Sequence, residues 1–373
     1  MQHLPIASPD PIPLPGPVWL LRTLLLLTFF LHLVAMDLAL GGSLLAVFYR
    51  LRRKSEFARQ TARDLAAKLP VMMAYTITLG VAALLFVQVL YGNFLYASSI
   101  LIGIPWASVI VLLILAYYGF YYAAMHDEAG AGVRVVGALA ALLLLAIAFI
   151  YVNNMTLMLT PGRWIALYRR HVSGWNLNLG ERALIPRYLH MLTAAIALCG
   201  LFVVLSGIRQ RTTQFGQWLI RQGAAWFAGA TVVNYGFGLW LLLSLPARIR
   251  ALVLGANGVA TVLFGAALFL SLAAVVHALM LRAGRRPVAN ASVCVATALA
   301  AVALMVVIRD YVRNGYLPPG YQFGQLRVVS QTSIIVLFFV LFAAGLATVY
   351  YMLSKVAAAR PAGDPASARQ QKA

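Results

Sequence analysis

Three histidines stand inside long apolar stretches of this chain: His32, ten residues after Arg22 in Arg22-Thr-Leu-Leu-Leu-Leu-Thr-Phe-Phe-Leu-His32; His190 in Arg187-Tyr-Leu-His190-Met-Leu-Thr; and His277. An imidazole in hydrocarbon costs free energy unless something there needs it, so each is a candidate functional group. Where apolar stretches carry almost no carboxylates, axial ligation of a haem iron is the chemistry that best employs such a ring. A haem needs its imidazole on a rigid apolar wall with small residues nearby. His190 is followed by Ala194, Ala195 and Ala197; His32 has Met36 on its own face at i+4 and Gly41-Gly42 further on. The competing role for either ring is a hydrogen bond to a neighbouring carbonyl or hydroxyl.

The other titratable groups narrow the chemistry. His277 enters its span from the same side as His190 but lies roughly 20–25 Å deeper, too far to share an iron, and reads as structural. His3, His126 and His171 fall in polar segments and read as solvated. Asp37 is about 140° round its helix from His32 and is not a direct partner of that ring. Arg309 and Asp310 read as a self-neutralising pair at a helix end. No chain of acids for proton pumping is present, and Cys199 and Cys294, with no Cys-x-x-Cys spacing, read as small packing residues.

The elements that carry these residues follow from composition. Of 373 residues, 62% are apolar and 10% charged, a balance that excludes an ordinary soluble domain. Nine apolar segments are predicted to span a membrane: 18–49, 70–93, 98–125, 134–157, 188–208, 221–245, 257–281, 289–310 and 331–355. The fold expected is an all-α polytopic bundle, one domain over 18–355, with a Pro-rich arm at 1–17 and a disordered tail at 356–373. The net charge of +20 lies in the flanks of the spans and reads as an orientation signal, not a nucleic-acid footprint. Seven Lys/Arg in 50–68 place that connection inside and the N-terminus outside. The longest connection, 158–187, is then outside, with Trp164, Tyr168 and Trp175 suited to an interface. A second outside connection, 311–330, carries Pro318-Pro319-Gly320 and reads as a structured turn. No internal repeat is apparent.

The segments resemble subunit I of the cytochrome bd quinol oxidases over roughly residues 18–210. Arg22 and His32 resemble that family's arginine and its haem b-ligating histidine. Gly80-Val-Ala through Gln88-Val-Leu-Tyr-Gly92-Asn93 resembles its Gly-Val-x-Thr-Gly through Glu-Phe-Gln-Phe-Gly-Thr-Asn-Trp region. Tyr151-Val-Asn153-Asn154-Met155, ending in Pro161-Gly162, resembles its Ala-Asn-Gly-Trp-Met-Gln-x-Pro-x-Gly. Arg187-Tyr-Leu-His190 resembles the helix whose histidine ligates the low-spin haem b. The resemblance implies nine spans, an outside N-terminus, haem b, a second membrane subunit and a bacterial cytoplasmic membrane.

The departures from that pattern bear on mechanism. Gln88 stands where the family has a glutamate, and the next span offers only apolar residues in Ala107–Leu115 for a second one. The quinol loop has shrunk to Pro246–Asn257. Met305-Val-Val-Ile-Arg309-Asp310 replaces Gly-Arg-Gln-Pro-Trp, and Met305 is the candidate for an axial or haem-packing role. A chain that keeps His32 and His190 but lacks the glutamates is expected to carry electrons through haem b more than to reduce oxygen. The alternatives are a true terminal quinol or cytochrome c oxidase subunit and, in a different class, a secondary transporter. The outside arginines, Arg163, Arg169, Arg170, Arg182 and Arg187, suit an acidic partner such as a c-type cytochrome or membrane headgroups; a quinone is the other expected redox partner.

Overall fold

The computed structural model describes residues 13–52, 55–126, 130–318, 321 and 327–358, with side chains to 355. Within them are eleven α-helices: α1 (Val18–Leu51), α2 (Glu56–Leu101), α3 (Gly103–Met125), α4 (Ala131–Met158), α5 (Trp164–Arg170), α6 (Leu184–Ile208), α7 (Gln214–Ser244), α8 (Ala247–Ala251), α9 (Gly258–Arg282), α10 (Pro287–Tyr316) and α11 (Thr332–Ala358). Nine of the described helices, all except α5 and α8, are long and apolar enough to cross a membrane, so the fold is an all-α polytopic bundle. The expectations for His3, Asp127, Glu128, Pro319, Gly320, most of the Pro-rich arm and most of the tail lie outside the described residues.

The boundaries depart from the sequence reading where amphipathic turns extend an apolar span. α2 begins at Glu56, not near residue 70, because Ala58, Ala62, Leu65, Ala66 and Leu69 form a buried stripe at helical spacing. At its other end α2 runs past 93 to Leu101, through a kink at Tyr91 (φ −128°, ψ 27°) that precedes Gly92. α10 continues past Asp310 to Tyr316, which places Arg309 and Asp310 inside a helix and not at its end. Residues 311–316, expected as part of a loop, belong to that helix. Between α7 and α9, the short Pro246–Asn257 connection is ordered as α8 and a π-turn over Leu252–Ala256, where Gly255 takes φ +125°.

Two cores lie in the main body, the first built mainly on α1–α4 with Ala195 of α6 joining it. In the first, Ala39 and Leu40 of α1, Leu69, Met72 and Met73 of α2, Ala116 and Phe120 of α3, and Ala140 and Leu144 of α4 pack together. In the second, Leu201 and Val204 of α6, Ile220 and Ala224 of α7, Ala274 and Ala278 of α9, and Cys294 and Ala298 of α10 do the same. Both cysteines are free, buried packing residues.

The halves repeat one another, which corrects the expectation of a chain without repeats. Ser55 caps α2 by accepting from Ala58 N; Thr213, 158 residues later, caps α7 by accepting from Gly216 N. Gly42 of α1 approaches Leu69 of α2, and at the same spacing Gly200 of α6 approaches Phe227 of α7. The repeat escapes a reading of the sequence because most positions need only be apolar. Among the matched positions are glycines where backbones approach and a histidine in each half.

Described residues of Pro11–Leu20 and Phe323–Ala373 form a second compact unit. Within it, Leu14 pairs with the 327–329 segment as a single parallel bridge to Val328, and Pro15 O accepts from Gln331 N ahead of α11.

Candidate functional site

The first intramembrane histidine is seated on the neighbouring helix. His32 of α1 places Nδ1 3.0 Å from the carbonyl oxygen of Thr76 in α2. A carbonyl only accepts, so Nδ1 carries the proton and the neutral ring keeps its lone pair on Nε2. Gly80, one turn beyond Thr76, makes room for the ring: a Cβ there would stand 2.8 Å from His32 Cε1 and 2.9 Å from Nδ1. Phe29 flanks the ring at 6.4 Å between centroids.

The second histidine repeats this construction. His190 of α6 places Nδ1 3.4 Å from Asn234 O in α7, and a Cβ at Gly238 would stand 3.2 Å from its ring. His190, Asn234 and Gly238 each lie 158 residues after His32, Thr76 and Gly80. Here an added bond braces the seat: Thr193 Oγ1 donates to Asn234 Oδ1 at 2.6 Å. Two of the three alanines after His190 serve helix packing. Ala195 is buried under Gly41 of α1, and Ala197 belongs to the second core. Gly238 supplies the space for the imidazole itself. Its signal in the sequence was the spacing it shares with Gly80.

The two histidine-bearing helices touch. A Cβ at Gly41 would meet Ala195 O at 2.1 Å, so glycine is required for this approach. Measured along parallel helices from that crossing, His32 lies roughly 13 Å and His190 roughly 8 Å toward their helix starts, at about 1.5 Å per residue. The seats thus differ in level by only about one helical turn.

Between them lies a cluster of arginines. Arg22 Nη2 donates to Asp310 Oδ2 at 2.5 Å. Arg313 Nη1 stands 3.9 Å from Asp310 Oδ1, Asn314 donates to the same carboxylate at 3.2 Å, and Tyr91, 3.3 Å from it, has its shorter hydrogen bond to Asn314 Oδ1 at 2.7 Å. This corrects the expected Arg309–Asp310 pair: adjacent helical residues point about 100° apart, and Arg309 instead lies 4.1 Å over the Phe29 ring. Arg309 is an electrostatic neighbour of His32, and Arg187 of His190; the two arginines are also neighbours of each other. Glu181 joins the cluster beside Arg187. Four guanidiniums therefore face two carboxylates. Arg187 Nε and Arg313 Nη1 are buried without a hydrogen-bond acceptor among the described residues.

The α2 kink serves this cluster. By leaving helical geometry at Tyr91, the chain turns that fully buried phenol toward Asp310 and Asn314. Tyr321 donates to Leu90 O at 2.7 Å, next to the kink. Burial raises the Tyr321 phenol above its usual range, which keeps it a donor.

The remaining candidates have these surroundings. Gln88 donates to Tyr96 across the kink. Met305 packs with Ile308, Leu304, Leu263 and Phe264 in an apolar cluster of α9 and α10. Asp37 is buried with Oδ1 unpartnered among the described residues. His277 binds Asn290 Oδ1 at 2.8 Å, near the far ends of α9 and α10. Asn153 and Asn154 anchor neighbouring segments: Asn153 Oδ1 accepts from Asn178 N, and Asn154 donates to Ser99. Among the described residues no three His, Cys, Asp or Glu side chains converge as a bare metal site would require.

No family model and no curated protein matches the chain. Among solved structures it is similar to a chain of the bd oxidase from Geobacillus thermodenitrificans. The TM-score is 0.66 at 12% identity, over 94% of this chain and all of that one. At this identity the likeness shows the fold: the chain has a bd-oxidase-like bundle.

Proposed function

We propose that the chain is a haem b-bearing electron-transfer subunit of a membrane respiratory oxidoreductase. The observation that carries this reading is the pair of equivalent histidine seats. A ligating imidazole must offer one nitrogen lone pair and be held by the other nitrogen. His32 and His190 both meet that condition, through backbone carbonyls that cannot swing away. The residues also fit the group in charge. Arg187 Nε and Arg313 Nη1, buried without a hydrogen-bond acceptor among the described residues, call for anionic partners, and the surplus of positive charge near the two rings suits the carboxylates of a haem. When bound, haem b supplies a one-electron couple. His32 and His190 Nε2 would hold it, Thr76 and Asn234 fix the ring planes, Arg187, Arg309 and Arg313 balance charge, and Met305 is a packing residue.

The bd-oxidase-like fold supports the same class of assembly, a membrane complex with a second subunit. In this reading the chain lies in a bacterial cytoplasmic membrane, N-terminus outside, with a c-type cytochrome or quinone as redox partner. Of the five arginines expected to face that partner, Arg187 is drawn into the cluster, while Arg169, Arg170 and Arg182 are exposed. Gln88, an amide bound to Tyr96, supplies no proton, which favours electron transfer over oxygen reduction. A reduced-minus-oxidised spectrum of the purified protein tests this. A haem b band without a long-wavelength chlorin band is expected; no haem band would overturn the proposal, and a chlorin band would return it to an oxygen-reducing oxidase.

A further inference from the structure

We infer that the cleft between the 158–187 connection and the α7–α8 corner binds a phosphate-bearing anion. The cleft holds about 490 Å³ and is lined by Arg163, Arg182 and Arg250 with a single carboxylate, Glu181. Three guanidiniums, against one acid that also neighbours Arg187, leave at least two positive charges for a ligand. Glu181 does not quench them. It stands 3.8 Å from Arg163, at the outer limit of an ion pair, and its Oε1 accepts from Ala183 N.

The walls hold two of the three cations in place, Arg163 and Arg250. Arg163 lies over Gly180, where a Cβ would stand 2.4 Å from Nη2. Arg250 Nη1 donates to Leu243 O at 3.3 Å. Planar guanidiniums held this way favour phosphate oxygens, which accept paired hydrogen bonds, over a monovalent point charge. The cleft opens beside an apolar flank of α7, where Leu239, Trp240 and Leu243 are exposed. The shared chemistry is a phosphate group, with two sources: the headgroup of an anionic phospholipid, whose chains would lie on that flank, or free phosphate. None of this depends on the haem reading.

Native mass spectrometry of the detergent-solubilised whole chain tests it by titration with phosphatidylglycerol, phosphatidylcholine and inorganic phosphate. Phosphatidylglycerol is expected to bind about tenfold more tightly than phosphatidylcholine, on the scale of charge-assisted hydrogen bonds. Arg163→Gln and the exposed Arg182→Gln should each erase most of that preference. Gly180→Ala, which displaces the Arg163 guanidinium without changing charge, should weaken it. Displacement of the lipid by millimolar phosphate, with phosphate itself retained, upholds the site and assigns it to free phosphate. Retention of the lipid under phosphate assigns it to a headgroup. Equal binding of the two lipids with no retained phosphate overturns the proposal, as does a preference unchanged in Arg163→Gln and Arg182→Gln.

Discussion

His32 and His190 sit in duplicate frames, yet the frames are finished differently. In the first half the ring is 3.0 Å from its carbonyl and would be struck at 2.8 Å by a Cβ on Gly80; in the second the corresponding distances are 3.4 and 3.2 Å. The first seat is tight and has an ionic surround, with Arg309 stacked on Phe29 and Arg22 bound to Asp310. The second is looser and, beside its own charged neighbour Arg187, gains a neutral brace, Thr193 on Asn234. The two frames thus share the geometry that leaves Nε2 free and differ in their surround. If both rings hold haem b, this divergence is what would set their potentials apart, since charge and hydrogen bonding near the ligand tune the iron.

The largest effect should come from breaking the charged side of the comparison. Asp310→Ala strips Arg22 and Arg313 of their shared carboxylate, leaving buried positive charge uncompensated. A loss of about 3 kcal/mol is expected, the low end for a broken buried pair because Arg22 is 38% exposed. Thermal unfolding in detergent reads it, and a change under about 1 kcal/mol would show the cluster to be solvated. Next in size is Gly80→Ala, where overpacking against the imidazole should cost about 1–3 kcal/mol and disturb the His32 seat alone. Thr193→Val, read by the same unfolding measurement, removes one buried hydrogen bond at the second seat, worth about 1 kcal/mol. Gly238→Ala is the mildest, below about 1 kcal/mol, since its 3.2 Å contact needs only a small shift. If Gly238→Ala proved costlier than Gly80→Ala, the ranking of the seats would be reversed.

Much of this was legible in the sequence, and the misreadings have physical causes. Apolar length and flanking charge sufficed for nine helices, but not for their ends, because turns such as Glu56–Leu69 are amphipathic and escape a hydropathy count. Arg309 and Asp310 looked like partners because they are adjacent, whereas a helix turns adjacent side chains apart. Asp310's real partner, Arg22, is 288 residues away, a pairing that only packing reveals. Of the alanines after His190, Ala195 and Ala197 serve helix contact, since small residues suit close packing and cofactor space alike. The glycine that does make room was visible only through its spacing from Gly80.

Haem content per chain tests the central claim most directly, measured as pyridine haemochrome on the purified wild type, His32→Ala, His190→Ala and the double variant. Two equivalent seats predict that each single variant loses one haem while remaining folded in the membrane, and that the double variant loses both. Full haem retention in both single variants would contradict the account, because the rings would then be held by their carbonyls for packing alone.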